Sequence, residues 1–398
     1  MIFDLFHSVS DPVVGGISLG PRRVCEQFLR QAKLAEAMGF DTLWLAESHF
    51  SSEVQKKTKV ATIPQFRGEV GINSDSFQWF HTLARETTRI NLGTGIHNIV
   101  GGSGGPIASA DRVNTLRFIN QNFWHPARTL RIGVAAGRFP YQNAPFSGLA
   151  RNRTEEDFWF ALKRVIFLEA LEIFLRLVKG ETLSSNVLEK YAVTHEEAEK
   201  QWGPKLEEMK RKYAFPFPLP QRWAFEPLQL VPRVENDQHL RVVLGSADPW
   251  AVEVGTKHWD IDLFNLSFTP PAEIDRLHEK MSALAKAQAR VWTRDRLPRT
   301  VLVFIDPDRK KARALADFVL DTYIEAMRGT AAVPDKQVLL ERALIGDAAE
   351  IRDQLSPENP RRFHAQDRLM LWFEFNQLDG EQVERQMRYF HESVVGRL

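Results

Sequence analysis

Short apolar runs alternate with amphipathic helical stretches from one end of this chain to the other, and that rhythm constrains the fold more than any other feature. Eight runs have the length and apolar character of strands buried on both faces: Ile2–Phe6, Thr42–Ala46, Ile90–Gly95, Leu130–Val134, Arg241–Gly245, Ile261–Asn265, Thr300–Ile305 and Leu369–Phe375. Most are followed by a helical pattern. Helix starts are signalled by Pro21, by Thr154 with Asp157 as a capping box, by Pro249 after Asp248, and by Asp306-Pro307. The longest helix, over about 155–178, spaces Phe158, Leu162, Val165, Ile166, Leu171, Phe174 and Leu175 along one face. Eight strand-then-helix units predict an α/β fold, a (β/α)8 TIM barrel rather than an open doubly wound sheet.

Three stretches break the rhythm. Residues 50–74 and 98–106, the latter with Gly101-Gly102-Ser103-Gly104-Gly105, are expected as loops on the C-terminal rim. Residues 181–238 hold a charged helical piece, Thr194–Lys212, and then Phe215-Pro216-Phe217-Pro218-Leu219-Pro220. A segment of about 58 residues with so few aliphatic positions buries too little to fold alone. It is expected as an insertion at the rim of a single domain over 1–398. Its aromatic residues Phe215, Phe217, Trp223 and Phe225 suit either surface packing or a lid over an apolar substrate.

Composition removes several function classes. Lys and Arg number 52 against 51 Asp and Glu, so no charge excess favours nucleic acid or an anionic membrane. Cys25 is the sole cysteine, which excludes an intrachain disulfide and a cysteine-rich metal site. Met1–Phe6 has neither a basic region nor a long apolar core, so no signal peptide is expected. A cytoplasmic location is the expectation. No Gly-x-Gly-x-x-Gly fingerprint occurs in strand-helix context, which argues against tight NAD(P)H binding. The Gly101–Gly105 loop lacks the Lys-Ser/Thr ending of a triphosphate-binding loop.

The segment from Ala35 to Phe50 concentrates the chemistry. Gly39 supplies a helix stop, Asp41–Ala46 a buried strand, and Glu47 and His49 then lie two residues apart, on one side of an extended backbone. Titratable groups at a strand's C-terminal end are how a (β/α)8 barrel builds a catalytic rim. A structural pair that fixes the strand end is the alternative reading. His97 follows the third strand and is expected at the same mouth, whereas His125 precedes the fourth and is expected at the opposite end. No His-x-His pair ends a strand, so a metal site is not expected.

These residues resemble the bacterial luciferase-like, flavin-dependent monooxygenase family, whose second strand commonly ends in Glu-His-His-Phe. Here that ending is Glu47-Ser48-His49-Phe50. Ile90–Gly95, Arg131–Arg138, Ala170–Glu181, Leu344–Asp347 and the closing stretch 382–394 resemble further family segments in the right order. The resemblance implies reduced FMN at the C-terminal mouth, reacting with O2 to a C4a-hydroperoxide that oxygenates a small organic substrate. It implies a separate NAD(P)H:flavin reductase and a homodimer. It places Glu47, Ser48, His49 and His97 as catalytic candidates, with Ser48 where the family's first histidine stands. Cofactor candidates are Gly95, Ala135, Ala136, Arg138, Arg153, Gly245 and Ser246; Ala136 stands where an arginine approaches the flavin phosphate. Gly245-Ser246-Ala247-Asp248-Pro249 matches the family's phosphate loop, with Asp248 expected to cap the helix. A deazaflavin (F420)-dependent dehydrogenase or reductase on the same fold is the alternative, and a non-catalytic flavin-binding paralogue another.

Overall fold

The computed structural model describes residues 1–55, 67–102, 104–125, 127–137, 140–146, 150–234, 238–265, 269–327 and 335–397. Nine strands form one central sheet: β1 (Ile2–His7), β2 (Thr42–Leu45), β3 (Asn91–Asn98), β4 (Leu130–Ala135), β5 (Leu240–Leu244), β6 (Asp262–Leu263), β7 (Arg299–Ile305), β8 (Leu344–Gly346) and β9 (Arg368–Trp372). Their spatial order is β6-β5-β4-β3-β2-β1-β9-β7-β8, and every pairing is parallel. Parallel strands need crossovers, and helices supply them: α1 (Pro21–Ala37), α2 (Ser76–Glu86), α3 (Gly105–Phe123), α4 (Trp159–Val178), α5 (Pro249–His258), α6 (Pro271–Ala287), α7 (Arg309–Met327), α8 (Ala348–Gln354) and α9 (Gly380–Ser393).

All eight expected strands are present in the order of a cyclic arrangement. The ninth, β8, is three residues long and pairs only with the end of β7. Between β6 and β7 the described residues share one parallel bridge, Asn265 to Arg299, so the sheet is not a continuously paired ring. β6 is shorter than expected. β3 is longer and takes in His97 and Asn98, its register to β4 shifting between Thr94 and His97.

Two helix starts differ from expectation. Asn152, not Thr154, caps the short helix Arg153–Asp157, accepting the Glu155 N–H at 3.0 Å. The long helical stretch then breaks at Phe158, which is fully buried and stacks on Phe217 at 4.3 Å, and resumes as α4. At α7 the first-turn acceptor is Asp308, which takes the Lys310 N–H at 2.9 Å, two residues beyond Asp306. Pro21 opens α1 and Asp248 caps α5 as the sequence predicts.

Inside the sheet, Phe6, Trp44, Val243 and Met370 form an apolar plug. Below it, toward the N-terminal strand ends, lies an ionic floor. Arg368 donates to Asp4 at 2.8 Å, Trp44 Nε1 donates to the other Asp4 oxygen at 2.7 Å, and Arg296 donates to Asp262 at 2.8 Å. Burial pushes the Asp4 carboxyl up, opposed by the Arg368 charge. The C-terminal ends of the strands face the other way, and the candidate site is built there.

The segment 181–238 shares the main core through Leu183, Leu188, Val193, Leu219 and Leu230. Two buried carboxylates on α4 hold it by its backbone. Glu169 accepts the N–H groups of Arg222 (2.8 Å) and Trp223 (2.9 Å), and Glu172 accepts the Glu189 N–H (3.0 Å) and the Tyr191 hydroxyl (3.2 Å). Phe215, Phe217, Trp223 and Phe225 pack against that core, which is the packing role of the two the sequence allowed.

Candidate active site

Glu47 leaves the end of β2 and enters a buried hydrogen-bond chain. Its carboxylate takes His49 Nε2 at 3.0 Å and His97 Nδ1, from the neighbouring β3, at 3.0 Å. The far nitrogen of His97, Nε2, meets the Ser109 hydroxyl at 3.0 Å, from the first turns of α3. The Glu47 and His97 side chains are each only 1% exposed. Burial alone disfavours the Glu47 anion, yet the His97 charge and hydrogen bonds from His49 and His97 hold its carboxyl at about 2. An anion at this point accepts protons from both rings. His49 therefore carries its hydrogen on Nε2, and among the described residues its Nδ1 has no hydrogen-bond partner. A carboxylate holding an imidazole in one tautomer, with the other nitrogen unengaged, is the arrangement a general base needs.

Glycine allows the rim loop to close over that histidine. A Cβ added at Gly102 would stand 2.2 Å from His49 Nε2, and one at Gly101 would stand 2.7 Å from Asn143 Oδ1. Around the chain runs a layer of amides. Asn98 Nδ2 donates to Asn143 Oδ1 at 2.6 Å, and Asn143 Nδ2 donates to the Ala136 carbonyl at 2.8 Å. Asn98 Oδ1 accepts the Val100 and Gly101 N–H groups, fixing the start of the glycine loop. Ser48 points elsewhere: its hydroxyl accepts from Gln142 Nε2 at 2.9 Å, and its N–H donates to the Asn73 carbonyl at 2.8 Å. Across the mouth, Glu374 follows β9 and accepts the Ser8 hydroxyl and Trp372 Nε1, both at 2.9 Å.

The structure thus brings Glu47, His49 and His97 into direct contact, with Ser48 adjacent. Ala135, Ala136 and Gly245 lie at or just past neighbouring strand ends, and Gly95 lies inside β3. The two glycines have close neighbours: a Cβ at Gly95 would meet the Phe6 ring at 2.8 Å, and one at Gly245 would meet Ile96 Cδ1 at 2.4 Å. Ser246 accepts the Asp248 N–H at 3.1 Å, and Asp248 accepts the first N–H groups of α5, from Trp250 and Ala251. That carboxylate sits where an anion would use the helix end. Arg153 is exposed and pairs with Glu156 and Asp157 of its own helix, and Arg138 lies outside the described residues. Ser109, Gln142, Asn143 and Glu374 were not found by sequence reasoning. Glu374 carried a usable signal, a carboxylate just past an apolar strand, as Glu47 does; the other three carried none.

A sequence model of the family described as luciferase-like monooxygenase matches residues 1–395. The chain belongs to that family. No curated protein sequence matches it. Among solved structures, this luciferase-like chain is similar to monooxygenase RslO1 from Streptomyces bottropensis, at 18% identity and a TM-score of 0.71, over 100% of this chain and 99% of that one. It is similar to the oxygenating constituent of 3,6-diketocamphane monooxygenase from the CAM plasmid of Pseudomonas putida, in complex with FMN, at 13% identity and 0.64, over 100% and 99%. An F420-dependent secondary alcohol dehydrogenase in complex with an F420-acetone adduct aligns at 13% identity and 0.56, over 99% and 98%. At these identities the likeness is one of fold, the α/β TIM-barrel type. Among the described residues no helix is long and apolar enough to cross a membrane.

Proposed function

We propose that this luciferase-like protein is a flavin-dependent monooxygenase that uses reduced FMN and O2 to oxygenate a small organic substrate at the C-terminal mouth of a closed eight-stranded barrel. The observation that carries this reading is the buried Glu47 anion clamped between His49 and His97 at the ends of adjacent strands. The single-domain reading, with 181–238 as a rim insertion, is supported by the shared core.

The residues at the mouth fit the ring portion of a flavin. Gly95, Ala135 and Ala136 keep side chains short, while Ser48, Gln142 and Asn143 offer hydroxyl and amide groups suited to the polar edge of a heteroaromatic ring. For the phosphate end, Ser246 offers its hydroxyl and Gly245, whose own N–H is held by the Val134 carbonyl at 2.9 Å, offers only room for close approach, with Arg138 and Arg153 as the candidate cations. Bound there, reduced FMN supplies the electrons that activate O2. The chain's own tasks are then positioning and proton handling. Glu47 stays ionised and fixes the His49 tautomer, leaving Nδ1 to take or return a proton at the mouth. His97, held between Glu47 and Ser109, keeps the carboxylate from rotating. The glycine loop over His49 excludes water. A separate reductase supplies reduced FMN, and a homodimer is the expected assembly.

The test is an anaerobic titration with reduced FMN and, in parallel, reduced F420, followed by mixing with oxygenated buffer. Tight binding of reduced FMN, and reoxidation whose time course differs from that of free FMN, support the proposal. Preferential binding of F420, inert to oxygen, moves the protein to the dehydrogenase or reductase reading suggested by the F420-dependent neighbour. Flavin retention without turnover of any substrate favours a non-catalytic paralogue, and binding of neither cofactor refutes the proposal.

A further inference from the structure

Phe50 follows His49 directly and adopts a left-handed backbone (φ 64), a region that side chains with a β-carbon rarely enter. Strain of this kind clusters at binding sites, where surrounding structure enforces it. Its consequence here is an outward ring. Phe50 is 50% exposed and stacks on Phe146, itself 38% exposed, at 5.6 Å and an interplanar angle of 22°. Both rings border the proton-handling histidine: the His49 centroid is 6.3 Å from Phe50 and 6.4 Å from Phe146, edge-on to the latter. Exposed aromatic residues elsewhere, such as Phe123, Trp159, Trp250 and Phe318, are carried on α3, α4, α5 and α7. Only Phe50 and Phe146 form a near-parallel exposed pair beside the site among the described residues.

We propose that Phe50 and Phe146 form a stacking platform for a planar aromatic substrate bearing a phenol-type hydroxyl, which they deliver to His49. The argument is chemical complementarity. A near-parallel pair of phenyl rings, each partly exposed, extends naturally to a third ring, because offset stacking satisfies the ring quadrupoles. An aliphatic chain gains burial there but not that term. His49, whose Nδ1 lacks a partner among the described residues, matches a ligand that arrives with a proton to share. This inference rests on the monooxygenase reading, since it assigns the aromatic platform to the substrate rather than to the flavin.

The test compares binding of 2-naphthol and 1-decanol, ten carbons each, by isothermal titration calorimetry to the full chain and to F146L and F50L, with and without saturating FMN. F146L is at an exposed position, and its melting temperature serves as the folding check. Both variants are expected to weaken 2-naphthol about five- to tenfold and 1-decanol by no more than about twofold. F146W should retain 2-naphthol affinity. Equal losses for both ligands, no loss for either, or no 2-naphthol binding to the unaltered chain overturn the platform. Competitive displacement of 2-naphthol by FMN also overturns it, since the rings would then serve the flavin. If FMN fails to bind while 2-naphthol discrimination follows Phe146, the platform stands and the flavin reading falls.

Discussion

Gly102 tests the geometry of the Glu47–His49 pair most directly. Its φ lies outside the left-handed region, so alanine brings no backbone strain, and the whole effect of Gly102→Ala comes from one methyl group. That methyl would stand 2.2 Å from His49 Nε2 and 2.6 and 2.7 Å from two ring carbons, whereas real Cβ contacts essentially never fall below 3.0 Å. Relief requires the ring or the loop to move by at least about 0.8 Å. The three distances place the methyl over the face of the ring, so the ring recedes across its own plane: the 3.0 Å contact to Glu47 lengthens only to about 3.1 Å, and the Nε2–H is tilted out of line with the carboxylate. A charge-assisted bond worth about 1.5–3 kcal/mol is thereby weakened. A misplacement near 1 Å costs on the order of 10²-fold in turnover. The assay is long-range ¹H–¹⁵N NMR of the His49 ring, which reports tautomer without any substrate, alongside flavin-dependent oxygen consumption. Gly102→Ala should shift the His49 ring resonances, weaken the Nε2–H tautomer preference and lose most activity. Gly180→Ala is the control: its φ is +91°, nothing lies within 4 Å of an added Cβ, and it should cost stability alone. An unchanged His49 spectrum in Gly102→Ala would refute the reasoning, because the loop would then have absorbed the clash.

Three further outcomes follow from burial and pairing. Glu47, held at about 2 against an ordinary 4.5, contributes stability that is complete above pH 4.5 and is lost as pH falls toward 2, roughly 3 kcal/mol in all. Chemical denaturation across that range should show the loss in the unaltered chain and a flatter profile in Glu47→Gln. Arg368→Met strands the fully buried Asp4 and should destabilise by about 3–5 kcal/mol, measured as urea midpoint, with Asp4→Asn in the same chain recovering part of it. Glu169→Ala leaves the Arg222 and Trp223 N–H groups without their acceptor, at about 1–3 kcal/mol each. Limited proteolysis should then cut near 206–225 before the barrel; resistance equal to the unaltered chain would show that the insertion is held by its aromatic packing instead.

The strands were legible because burial on both faces writes a continuous apolar run, and each of the eight runs became a strand. The errors have physical causes. β8 has three residues and pairs with only Val303, Phe304 and Ile305 of β7, too short to carry a period. His97 and Asn98 sit inside β3 because a register shift after Thr94 lets the ladder continue past the glycines. The capping residue moved from Thr154 to Asn152 because either side chain can accept an N–H, and sequence alone does not decide which turn comes first. At the site, the Glu47–His49 spacing and the placement of His97 after a strand were readable from strand-end position. Ser109 comes from a helix face, and Gln142 and Asn143 from the short helix Pro140–Asn143; they reach the mouth through contacts between distant segments.

The serine at position 48 has a structural counterpart in the way Glu47 is occupied. The carboxylate receives one nitrogen from each of His49 and His97, and the latter's other nitrogen is taken by Ser109. Position 48 faces away from this chain, toward Gln142 and the Asn73 carbonyl. In the proposed enzyme, proton handling therefore falls to His49, where Glu47 fixes the tautomer and the rim glycines hold the ring in place. The apolar plug of Phe6, Trp44, Val243 and Met370 separates that chain from the Asp4–Arg368 floor. The two ionic systems are then separate: one lies at the mouth, while the other fixes the base of the sheet.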